Sequence, residues 1–175
     1  IEKFAKDKTF EKVNLLDIQK EYIKHKRIKL DCKYININDY IKAKFIGNGN
    51  FGNVYEVLEK KSNKSYAAKI SSNSLDEIDE EELISHYREV TIISKLNHAC
   101  ILGFIGYSPI NFEKDENPVI ITYLARKGSL SDIIKLERQS MALPDWDNTM
   151  KLINIYGIAS SMAYLHRHNI IHRDL

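Results

Sequence analysis

Gly47, Gly49 and Gly52 lie within six residues of one another, between two stretches that alternate apolar and polar side chains. No other part of the chain restricts the fold as tightly. Residues 40–46 lead into the glycines, Val54, Tyr55, Glu56, Val57, Leu58 and Glu59 follow, and a polar turn at 60–65 precedes the run Tyr66, Ala67, Ala68, Lys69 and Ile70. Period-two alternation bounded by turn residues predicts strand, glycine loop, strand, turn and strand. Glycines without Cβ atoms let a backbone come within hydrogen-bonding reach of phosphate oxygens. The same spacing opens dinucleotide-binding folds, but there the third glycine starts a helix whose N-terminus holds the phosphate. Here a strand pattern continues, so the loop is expected to lie over a nucleotide as a flap.

Composition sets few further limits. The chain has 175 residues, 43% hydrophobic and 29% charged, with a net charge of +2, as expected of a globular domain or part of a larger one. So small a charge gives no reason to expect nucleic acid as a partner. The first 44 residues are nonetheless basic, with 12 Lys and Arg against 7 Asp and Glu, and read as a solvated flank. No apolar run nears the ~18 residues that cross a bilayer, and Ile1, Glu2, Lys3 and Phe4 lack a secretory core, so a cytoplasmic protein without a membrane span is expected. Cys32 and Cys100 are too few and too far apart for a metal knuckle or a disulfide framework. The glycosylation triplet at Asn63 reads as a chance match in a hairpin turn.

Beyond the hairpin, Asp76, Glu77 and Asp79 to Glu82 place negative charge where a helix N-terminus favours it, and Leu83, Tyr87, Val90, Ile93 and Leu96 continue with helical spacing. Strands are expected over 101–107 and 119–124, separated by a loop with Pro109 and Pro118. Ser129 or Ser131 is expected to cap a short helix reaching Leu136, and a longer helix is expected from about Trp146 to His166. Met150, Ile153, Gly157, Ile158, Ser161 and Leu165 would lie near one face of it. His166 and His168, two residues apart with no thiolate nearby, read as solvent-facing rather than metal-binding. Residues 1–36 fit a helical stripe only loosely.

The order of Gly47, Gly49, Phe51, Gly52 and Val54, then Ala67 and Lys69, Glu89, Gly128-Ser129-Leu130, and His172-Arg173-Asp174-Leu175 resembles the eukaryotic protein kinase domain from about Tyr40 onward. The wording around Gly128 and His172 is most similar to the tyrosine-kinase-like branch, whose members mostly phosphorylate serine and threonine. The resemblance implies an α+β fold with a five-stranded antiparallel N-lobe holding one internal helix, followed by the first helices of a helical C-lobe. It divides the chain into a basic, partly helical extension (1–36), the N-lobe (37–121), a hinge (122–128) and the start of the C-lobe (129–175). It implies ATP as cofactor, with Ile46, Gly47, Asn48, Gly49, Phe51, Gly52, Val54, Ala67, Lys69, Thr122, Tyr123 and Ala125 around it, and a protein as substrate. Lys69 would hold the α- and β-phosphates, Glu89 would hold Lys69, Asp174 would take the proton of the substrate hydroxyl, and Arg173 would meet an activation-loop phosphate or acid. Thr122 would stand as gatekeeper, with Tyr123 and Ala125 supplying hinge backbone groups. Ile93, Phe104 and His172 are similar to the family's packing spine. Departures from the pattern are Ala99 where proline is common, Tyr66 where valine is usual and Tyr123 where glutamate is frequent.

No metal ligand is assigned within the chain. Magnesium is implied, but its ligands are expected beyond residue 175, so the chain alone is expected to be inactive in transfer. The long helix is expected to carry an apolar face without its packing partners, leaving this half poorly soluble. Two other readings remain: a non-catalytic kinase-like module that binds a nucleotide or acts as a scaffold, and a dinucleotide-dependent enzyme.

Overall fold

The alternating runs around the glycines form antiparallel strands. The computed structural model describes residues 30–49, 52–75 and 77–172. These fall into two units: one takes the described residues up to Leu96 together with residues 103–124, the other residues 97–102 together with the described residues from Ala125 on.

In the first unit, β1 (Tyr40–Gly49), β2 (Gly52–Glu59), β3 (Ser65–Ser71), β4 (Phe104–Ser108) and β5 (Val119–Tyr123) form one five-stranded sheet in the order β1-β2-β3-β5-β4. Every neighbouring pair is antiparallel. Helix α1 (Glu80–Lys95) lies in sequence between β3 and β4. Alternation sorts the side chains of β3 onto two faces. Tyr66 and Ala68 join Ile37, Tyr40, Val57, Val119 and Ile121 in a core on one face. On the other, Ile120 packs with Leu83, Tyr87 and Val90 of α1, with Tyr107 and with Leu30. Helix α1 starts where its acidic run predicts: the Asp79 carboxylate accepts from the Glu82 N–H at 2.9 Å, and Glu80, Glu81 and Glu82 fill the first turn.

The second unit holds α2 (Leu130–Arg138), capped by Ser129, and α3 (Asn148–Arg167), capped by Asp147. Helix α3 begins two residues later than the sequence suggests, because Asp147 takes the cap and the Trp146 indole donates to Glu137 at 3.0 Å. Residues 97–102 dock on α3: the Asn97 N–H donates to the Tyr164 hydroxyl at 3.1 Å, and Cys100 Sγ lies 3.6 Å from where a Cβ on Gly157 would stand. This docking explains why the fourth strand begins at Phe104 rather than at residue 101. His168 also departs from expectation. It is half-buried, with its ring 4.4 Å from that of Tyr164 and Nδ1 2.8 Å from the Tyr164 carbonyl. The fold is thus α+β, with the five-stranded antiparallel sheet, its internal helix and two following helices that the sequence implies.

Residues 1–29, over which the loose helical stripe is expected, lie outside the described residues. Residues 30–36 contain no helix, and Tyr34 forms a parallel bridge to Tyr107 on β4.

Candidate active site

Lys69 stands mid-strand on β3, opposite Val54 of β2 and Ile120 of β5. Directly opposed residues share a sheet face, so Val54, Lys69 and Ile120 point to the α1 side. Ala67 and its β5 partner Thr122 lie two positions away on that same face. From α1, the Glu89 carboxylate reaches Lys69 Nζ at 2.6 Å, bridging residues 20 apart in sequence. The two side chains are 31% and 42% exposed. A pair this accessible contributes about 1 kcal/mol or less to stability. Its consequence is directional: the ammonium is held at a fixed point above the sheet face.

The glycines differ in what the fold asks of them. Gly52 has φ +145°, and a Cβ there would lie 2.0 Å from the Ile70 carbonyl oxygen, so β2 tolerates only glycine at this position. At Gly47 no described atom comes within 4 Å of where a Cβ would stand, and at Gly49 the nearest is the Gly52 carbonyl at 4.0 Å. Packing among the described residues therefore does not account for these two glycines. Their bare backbone suits close approach by something outside the chain. Across the hairpin Asn48 pairs with Asn53 and Gly49 with Gly52.

Lys69 and Glu89 also border a cavity of about 310 Å³ lined further by Ile78, Glu82, His86 and Ile120. Sequence reading missed His86, although it sits three residues before Glu89 on the same helix face. Its Nε2 is buried with no hydrogen-bond partner among the described residues. Burial pushes the imidazole below its ordinary pKa; the Glu89 carboxylate opposes this and the Lys69 ammonium adds to it.

The other expected site residues are placed as follows. Ile46 is exposed and Asn48 lies on the exposed outer end of β1. Thr122 is half-buried and Tyr123 is 56% exposed, with its N–H donating to the Gly103 carbonyl at 3.0 Å. Ala125 is exposed and belongs to the second unit. Phe104 packs against the α1-side core, Ile93 is half-buried and His172 is exposed. Phe51, Arg173 and Asp174 lie outside the described residues. Among the described residues no cluster of three or more His, Cys, Asp or Glu is arranged to hold a metal ion. Nor is any described helix long and apolar enough to cross a membrane.

A lysine on the third strand held by a helix glutamate, beside a glycine hairpin in a five-stranded antiparallel sheet, defines a class, and the chain belongs to it: the protein kinase domain family matches residues 40–175. Serine/threonine-protein kinase polo of Drosophila melanogaster is 30% identical over 146 residues, which cover 82% of this chain and 23% of that protein. LIM domain kinase 1 of Drosophila melanogaster is 33% identical over 137 residues, 78% of this chain and 10% of that protein. Aurora kinase of Patiria pectinifera is 34% identical over 131 residues, 74% of this chain and 30% of that protein. The chain therefore spans less than a third of the length of each of these relatives.

Proposed function

We propose that the chain carries the nucleotide-gripping part of an ATP-dependent protein kinase that phosphorylates serine or threonine. The observation that carries this is the 2.6 Å contact between Lys69 Nζ and Glu89, on the sheet face shared with Val54, Ala67 and Thr122. In this reading Val54, Ala67 and Thr122 border the adenine, with Ile46, Tyr123 and Ala125 around it. Gly47, Asn48, Gly49, Phe51 and Gly52 cover the phosphates. A lysine suits the task because its ammonium is a compact charge with three donors, and Glu89 removes the freedom of its flexible stem. Fixing the α- and β-phosphates leaves the γ-phosphorus as the mobile group, so positioning supplies much of the catalysis.

Asp174 is assigned as the base. It accepts the proton of the substrate hydroxyl as that oxygen forms its bond to the γ-phosphorus and the bond to ADP breaks. Magnesium bound with ATP would neutralise charge on the phosphates that Lys69 holds. Serine and threonine as acceptors are supported by the names of the relatives and by Gly128-Ser129-Leu130. A cytoplasmic setting goes with this reading.

Titration calorimetry of the chain with Mg·ATP and with NAD tests it. The expected result is selective binding of Mg·ATP that weakens at least about tenfold in Lys69→Ala, a loss of one charge-assisted phosphate contact. Equal or tighter binding of NAD, unchanged by Lys69→Ala, overturns the assignment.

A further inference from the structure

Residues 30–35 touch both halves of the device that aims Glu89. On the sheet side they pair with β4, the edge strand. The Ile35 N–H donates to the Tyr107 carbonyl at 2.9 Å, and the Tyr107 N–H donates to the Lys33 carbonyl at 2.9 Å. The rings of Tyr34 and Tyr107 meet edge to face at 5.5 Å. The approach is close: a Cβ on Gly106 would stand 2.2 Å from Ile35 Cγ2. On the helix side, Leu30 is 5% exposed and packs in one cluster with Leu83, Tyr87 and Val90 of α1. The Asp31 carboxylate lies 3.3 Å from Lys95 Nζ at the end of that helix. The turn between these contacts is closed by the Leu30 N–H donating to the Tyr34 hydroxyl at 3.0 Å.

Helix α1 is thus held by the sheet through Tyr107 and Ile120 and, from its other neighbour, by Leu30. Glu89 sits between two of the residues in the Leu30 cluster, Tyr87 and Val90, so a shift of the helix against that cluster moves the carboxylate relative to Lys69. We propose that residues 30–35 form a strap that sets the position of α1, with Leu30 as its positioning residue, so that the segment preceding the sheet controls the Lys69–Glu89 contact. Asp31 is 92% exposed, and its ion pair adds little beside the apolar anchor. The strap rests on the reading of Lys69 as the phosphate-holding group.

The test measures Mg·ATP affinity and thermal unfolding of the 175-residue chain carrying Leu30→Ala, Glu89→Gln or both, with Lys69→Ala alongside. Leu30→Ala is expected to weaken Mg·ATP binding about fivefold, the size of a modest coupling between sites. In the Glu89→Gln background the same substitution is expected to leave affinity unchanged while still lowering the melting temperature, because packing loss and positioning loss then separate. Leu30→Met, which keeps the volume, is expected to restore both and serves if the alanine variant does not fold. An affinity loss of equal size in both backgrounds, or none in either, overturns the strap even when Lys69→Ala abolishes binding. Unchanged binding in Lys69→Ala overturns the phosphate reading, and the strap with it.

Discussion

At the scale of single residues, the three glycines separate structural need from ligand approach. Gly52→Ala brings a Cβ into the Ile70 carbonyl at a φ that L side chains avoid, and is expected to cost about 1–3 kcal/mol. Gly47→Ala meets no described neighbour and is expected to change stability by less than about 0.5 kcal/mol. Mg·ATP affinity should nonetheless fall in both variants. Chemical denaturation and nucleotide titration of the pair check this; a Gly47→Ala variant that keeps full affinity would show that its backbone does not approach the phosphates. The sequence made the glycines, Lys69 and Glu89 legible because each belongs to a spaced motif. It did not reveal which glycine the fold itself requires, since that depends on the carbonyl of a neighbouring strand. His86 was hidden for a similar reason: its burial is set by α1 docking on the sheet.

At the scale of elements, α1 carries a pH dependence. Burial depresses the folded-state pKa of His86, so the unfolded chain binds its proton more readily. Stability from the neutral ring is fully present above the unfolded value of about 6.5 and is lost as pH falls through the folded pKa. Urea midpoints at about pH 8 and about pH 5 should therefore fall further for the wild type than for His86→Phe. Equal losses in the two proteins would mean that other groups set the acid limb. The same helix shows why local signals succeed where they do. Asp79 and the three glutamates after it mark its start through backbone capping, an interaction within one turn. Residues 30–35 carry no such local signal. They gain their extended form from β4, more than 70 residues away, and the basic composition of the flank says nothing of that pairing. The start of β4 was obscured likewise, because residues 101 and 102 look apolar enough for a strand but go with the unit that contains α3.

At the scale of the whole molecule, the two units differ in how well they cover themselves. The sheet unit builds an apolar core on each face of its sheet. On α3, by contrast, Leu152, Ile155 and Tyr156 share one face and are 66%, 63% and 72% exposed. Covering such side chains is worth about 1.5–3 kcal/mol each, so the chain in isolation is expected to self-associate. Light scattering across a concentration series should show this for the wild type and much less for an Ile155→Lys/Tyr156→Gln double variant. A wild-type chain that stays monodisperse and melts cooperatively would contradict the expectation. Fold class was legible at this scale because the strand periods and the motif order agree; the placement of residues 97–102 was not, since it follows from packing against α3.

The grip of Lys69 is most directly observed by NMR of the chain labelled with ¹⁵N at the lysine side chains, with the Lys69 ammonium assigned by its loss in Lys69→Arg. The signal is predicted to move on Glu89→Gln without nucleotide, and to move again when Mg·ATP binds the wild type. A Lys69 ammonium that responds to neither would contradict the claim that a carboxylate aims this group at a triphosphate.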